Sequence, residues 1–126
     1  MPALAFDWDL DVDRGPDWLI VKICGAGADS TVEPSLSAAI WDLLQRHFTY
    51  RVVLELDQVT LLDSYLVGQL VQLYKLIRQR DGVMRVCGLS PYNRQVLHAC
   101  RLDESLTPFR DREDAVLGPW RVGHPK

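Results

Sequence analysis

Long apolar runs are missing from these 126 residues. None approaches the roughly 18 consecutive apolar residues that a membrane-spanning helix requires. The opening MPALAFDWDLDVD has neither the basic start nor the apolar block of a secretory signal. A cytoplasmic protein with no membrane partner is expected. Positive charge is also in short supply: 14 Lys and Arg stand against 17 Asp and Glu, for a formal net charge of −3, and the cations are scattered. No basic field is available to draw a phosphate backbone, which argues against nucleic acid as a partner. The three cysteines, Cys24, Cys87 and Cys100, are odd in number and lack a Cys-x-x-Cys spacing. Both a disulfide framework and a zinc site are thereby disfavoured, and reduced, mostly buried thiols are expected. His47, His98 and His124 show no metal-ligand spacing either. No metal and no cofactor are expected.

With 48% hydrophobic and 25% charged residues, the chain has the composition of a folded globular protein. Its length suits one core. The expected organisation is a single domain over 1–117 with a tail at 118–126.

Along the chain the first signal is a period of two. Phe6, Trp8, Leu10 and Val12 alternate with Asp7, Asp9, Asp11 and Asp13, the pattern of a strand with one wet face. The aspartates do not make a calcium loop, because Val12 and Trp18 occupy the places of its turn glycine and terminal glutamate. They suit the solvent face of an edge strand, where like charge discourages pairing with another chain. The turn chemistry of DRGPD leads into WLIVKICG, a second strand that completes a hairpin.

Pro34 then stands where a helix begins, and Leu36, Ala39, Ile40, Leu43, Leu44 and His47 follow at spacings of three and four. RVVLEL and VMRVCGL read as central strands. Between them lies a helix from about residue 64 to 80, with Gly82 placed to close it as the left-handed C′ residue. Ser90 and Pro91 suit the N-cap and first position of a further helix, SLTPF a short edge strand, and DREDAVL a short last helix. The predicted class is α/β: a mixed sheet with an N-terminal hairpin and about four helices packed mainly on one face.

The helix at 64–80 carries the candidate site. Its apolar stripe runs through Leu66, Val67, Leu70, Val71, Leu73, Tyr74 and Ile77, with Gly68, Gln72, Lys75 and Gln79 opposite. Tyr65 falls with the polar residues, so its ring is expected to be largely exposed. Asp63-Ser64 opens the helix where unpaired N–H groups and a partial positive charge favour a capping oxygen or a phosphate. Capping explains such a pair without any modification. Ser64 has no Gly-x-Ser-x-Gly elbow and no base at a telling spacing, so an enzyme is not expected.

Taken together, VVLELDQVTLLDSYLVG and VCGLSPYNRQVL resemble the STAS domain, the fold of bacterial anti-sigma factor antagonists. In that family a hydrophobic strand and an acidic-apolar pair lead to Asp-Ser-Ser-Gly-Leu-Gly at a helix start. Glu55-Leu56, Asp63-Ser64 and Gly68 match in order, while Tyr65 and Leu66 replace the second serine and first glycine. The likeness covers roughly residues 17 to 117. It implies a STAS-like fold and a partner-switching regulator of transcription, with Ser64 phosphorylated by an anti-sigma factor that is also a kinase. It further implies partner contacts at Asp63, Ser64, Tyr65, Gly68, Gln72 and, in the loop after the hairpin, Asp29. A PP2C-type phosphatase would reset the switch, and self-association is left open. The alternative is a STAS interaction or scaffold module in a larger assembly, without phosphorylation.

Overall fold

The computed structural model describes residues 9–24 and 35–118. Strands β1 (Leu10–Arg14) and β2 (Leu19–Ile23) form the expected antiparallel hairpin, with Val12 opposite Val21 and Asp13 opposite Ile20. β3 (Arg51–Glu55), β4 (Val83–Cys87) and β5 (Pro108–Phe109) continue the sheet in parallel, in the order β1-β2-β3-β4-β5. Parallel neighbours need crossover connections, and these are α1 (Leu36–Arg46), α2 (Ser64–Gln79) and the pair α3 (Pro91–Ala99) and α4 (Asp103–Leu106). A fifth helix, α5 (Arg112–Leu117), ends the described chain. Among the described residues no helix is long and apolar enough to cross a membrane.

Alternation along the strands divides the core. Leu19, Val21, Ile23, Val52, Leu54, Met84 and Val86 face Ile40 and Leu44 of α1, Leu70, Leu73 and Ile77 of α2, Leu97 of α3 and Leu106 of α4. Leu70, Leu73 and Ile77 are almost wholly buried, each contributing about 1.5–3 kcal/mol of transfer free energy. The other face carries Trp18, Ile20, Val53 and Cys87, covered by Ala115 of α5. Four helices therefore share one face and α5 holds part of the second.

Arg112 fastens α5 to the sheet. Its Nη2 lies 2.6 Å from Glu55 Oε1 on β3 and its Nη1 2.9 Å from Asp13 Oδ2 on β1. Asp13 thus belongs to the wet face of the edge strand, as its alternation with half-buried Leu10 and Val12 requires. Arg85 secures the other end of α5. Its buried guanidinium sits 5.0 Å from the Trp18 ring and donates to the carbonyls of Ala115 at 2.6 Å and Gly118 at 3.3 Å. A cation there satisfies carbonyls left over at a helix C-terminus.

Pro34, Asp29 and the stretch from Phe6 to Trp8 lie outside the described residues. Several other sequence expectations need correction. The N-cap of α1 is Ser35, whose side chain accepts from the Ala38 N–H. The cysteines are not mostly buried: Cys87 is, Cys24 is intermediate and Cys100 is exposed, all three being free thiols. Burial, reinforced by Glu55, pushes the Cys87 thiol up to about 12. Ser105 and Leu106 lie in the short α4 instead of in the edge strand.

Gly82 is not the left-handed residue after α2. That place belongs to Asp81, at φ 56°. The Asp81 N–H donates to the Arg78 carbonyl and the Gly82 N–H to that of Ile77, which is a Schellman closure with Asp81 at C′ and Gly82 at C″. Gly82 is required for a different reason: a Cβ there would fall on the Tyr50 carbonyl oxygen and lie 2.7 Å from Ile77 Cγ2.

Candidate functional site

The segment between β3 and α2 delivers Ser64. It starts at Asp57, which rests against Gly88: with φ at +76°, a Cβ on Gly88 would stand 3.1 Å from the Asp57 backbone nitrogen. Lys22 Nζ approaches Asp57 Oδ2 at 3.5 Å. The chain then turns, Val59 N–H donating to the Leu56 carbonyl, before Leu62 buries its side chain in the main core.

Two adjacent residues divide the work at the head of α2. Asp63 is the N-cap, in extended conformation at φ −83° and ψ 178°, and its Oδ1 accepts from the Leu66 N–H at 2.9 Å. Ser64 is the first helical residue and is exposed. With Asp63 taking the capping bond, the Ser64 hydroxyl has no hydrogen-bond partner among the described residues. An accessible hydroxyl thus sits at the positive end of a 16-residue helix, where an added phosphate gains about 0.3–1 kcal/mol from the helix dipole.

Gly68 lies one turn beyond Ser64 on the same face. It is exposed, and a Cβ there would meet nothing within 4 Å. Nothing in the fold asks for glycine at this point, and glycine inside a helix costs about 0.5–1 kcal/mol relative to alanine. The result is bare helix backbone beside the hydroxyl.

Tyr65 departs from expectation. It is half-buried and packs against the main core, with its hydroxyl withdrawn from solvent. Further along the same flank, Gln69 Oε1 accepts from the Ser37 N–H at 2.9 Å and Gln72 Oε1 from the Ser37 hydroxyl at 3.0 Å. That flank is the seam between α2 and α1. A helical wheel treats everything off the apolar stripe as wet, although a second helix can cover it. Tyr65→Ser is therefore expected to lower stability by about 2 kcal/mol, read as a fall in melting temperature in a thermal scan. An unchanged melting temperature would restore the expectation of a largely exposed ring.

Of the expected contact residues, the structure gathers Asp63, Ser64, Tyr65 and Gly68 within the first turns of α2. Gln72 stands about 12 Å along the axis from Ser64, exposed but engaged with Ser37. A residue absent from the sequence reading is Asn93 of α3. It is completely buried, and its side chain bonds the segment leading to Ser64. Its spacing of four from Leu97 places both on the inward side of α3, and a polar residue on that stripe was the available signal.

The family profile of the STAS domain matches residues 9–115. An anti-sigma F factor antagonist of Paenibacillus polymyxa is 30% identical over 104 residues, covering 82% of this chain and 87% of that protein. Among solved structures, an anti-sigma factor antagonist (STAS) domain protein from Planctomyces limnophilus superposes with a TM-score of 0.71 at 20% identity, covering 86% of this chain and 95% of the other. The phosphorylated form of the Bacillus cell fate determinant SpoIIAA gives a TM-score of 0.60 at 12% identity, covering 86% and 96%; these two structural likenesses concern the fold.

Proposed function

The chain belongs to the STAS domain family, and we propose that within it the protein is a partner-switching anti-sigma factor antagonist controlled at Ser64. Unmodified, it binds a kinase-type anti-sigma factor through the face around Ser64 and Gly68, displacing the sigma factor. The bound kinase transfers the γ-phosphoryl group of ATP to Ser64 Oγ, with loss of the hydroxyl proton and release of ADP. A PP2C-type phosphatase restores the serine. In this cycle the protein is ligand and substrate, and the enzymes are its partners. The observation that carries the reading is the division of labour at the start of α2, where Asp63 caps and the Ser64 hydroxyl stays accessible.

The phosphate adds about −1.5 to −2 charges next to the Asp63 carboxylate. The helix start tolerates it in the free protein, but a partner surface fitted to a neutral hydroxyl and bare backbone does not. Release follows from repulsion and from the cost of desolvating the new charge. The test is an intact-mass spectrum of the protein from its native host. Two species differing by one phosphate, mapped to Ser64, are expected; phosphate confined to another residue would overturn the assignment.

Gly68 gives an independent check. Gly68→Ala is expected to stabilise the free protein by about 0.5–1 kcal/mol in denaturant unfolding. In titration it should weaken the complex at least fivefold, because the added methyl occupies space that the partner uses. Unchanged affinity would remove Gly68 from the interface. The bulk of Tyr65 beside the acceptor favours a second reading, a scaffold module that is never phosphorylated. For that reading, Ser64 remains unmodified in the presence of a partner that binds.

A further inference from the structure

We infer that Asn93 is a positioning residue for Ser64, fixing from α3 the pose in which the acceptor is offered; the inference rests on the switching role proposed above. The segment 57–62 is too short to hold itself. Its one backbone–backbone bond among the described residues runs from Val59 N–H to the carbonyl of Leu56, just before the segment. Among the described residues, the other hydrogen bonds to its backbone come from a single side chain. Asn93 Oδ1 accepts from the Leu62 N–H at 3.0 Å, and Asn93 Nδ2 donates to the Val59 carbonyl at 3.1 Å.

Asn93 is 0% exposed and its bond to Leu62 is buried, so removal of the amide leaves the Leu62 N–H unmatched and frees the Val59 carbonyl. The same residue is fixed from its own side, since its backbone N–H donates to the Ser90 hydroxyl that caps α3. A rigid line of bonds therefore runs from the cap of α3 through Asn93 to Leu62, whose next two residues are the cap and the acceptor. Proteins hold a reacting group through neighbours locked by packing and hydrogen bonds, and a misplacement of about 1 Å can cost about a hundredfold in rate. A structural need alone is met more simply by an apolar residue on this inward stripe, beside Val96 and Leu97. A carboxamide with both ends engaged specifies the segment's conformation as well as filling space.

The test compares Asn93→Ala with Val53→Ala, a core variant on the opposite face of the sheet that lowers stability without touching the segment. Amide hydrogen exchange at Leu62 should accelerate at least tenfold in Asn93→Ala and little in Val53→Ala, with α1 protected in both. Phosphorylation of Ser64 by the kinase-type anti-sigma factor with ATP should lose at least tenfold in kcat/KM in Asn93→Ala, and less than twofold in Val53→Ala. Should Asn93→Ala not fold, Asn93→Thr keeps nearly the same volume and can satisfy at most part of the pair, and the same losses are expected of it. Faster exchange with unaltered phosphorylation overturns the inference alone, as does unaltered exchange at Leu62. Wild-type protein that binds the kinase yet is never labelled overturns the switching reading, and the inference with it.

Discussion

Ser64→Asp is expected to weaken the complex with the kinase-type anti-sigma factor at least tenfold, about 1.4 kcal/mol, while Ser64→Ala binds as the wild type does. The two substitutions separate charge from the loss of the hydroxyl. Alanine removes a group that makes no internal bond among the described residues and leaves the Asp63 cap in place. Aspartate keeps the helix start well served, since a carboxylate in the first turn is favourable by about 0.3–1 kcal/mol. The free protein should therefore be as stable as before or slightly more so, and any loss of binding belongs to the interface. Only about half of the phosphate's charge is reproduced, so phosphorylated Ser64 should bind more weakly still. Isothermal titration of both variants, with thermal scans of the free proteins, separates these contributions. Equal affinity for Ser64→Asp and wild type would place the interface elsewhere.

Gly82→Ala carries the largest expected loss of stability, about 3 kcal/mol, or roughly 10 °C in melting temperature. The added methyl would collide with the Tyr50 carbonyl oxygen, which also accepts from Val83 N–H at 3.0 Å. Because that oxygen is backbone and the neighbouring Ile77 is fully buried, relief requires β3 and the end of α2 to separate. Asp81→Gly is the informative companion. Asp81 has a positive φ, so glycine at that position should stabilise by about 1 kcal/mol. If Gly82→Ala were the milder change of the two, the close approach at Tyr50 would not be what demands glycine.

How much could be read from the sequence depended on which force set each feature. The hairpin, the central strands and α2 came from periodicities of 2 and 3.6, which one-sided burial imposes on any chain. The caps at Ser90 and Asp63 came from local chemistry that acts over three residues. Features fixed by a second element were not legible in the same way. Tyr65 reads as wet on a helical wheel, yet it packs against the main core, on a flank where Gln69 and Gln72 bond Ser37 of α1. Gly82 was assigned a conformational role when its role is contact with Tyr50, across 32 residues of chain. Arg85 had no sequence signal at all: a cation inside a strand reads as a surface residue, and only the docking of α5 turns it into a helix cap. The four residues of α4 bury only Leu106 and so carry no stripe to detect. In the proposed site, Ser64, Asp63 and Gly68 could be singled out because order and spacing match a family pattern, whereas the bonds of Asn93 to Leu62 and Val59 are made only by the fold.

The most direct measurement of the proposed switch uses the purified protein, a kinase-type anti-sigma factor that binds it and ATP, with the phosphate located by fragment mass and the complex followed by size-exclusion chromatography. The expected result is one phosphate on Ser64, with the modified protein eluting free of its partner. A stable complex that persists through full ATP turnover, with Ser64 unmodified or with Ser64 phosphorylated and still bound, would contradict it.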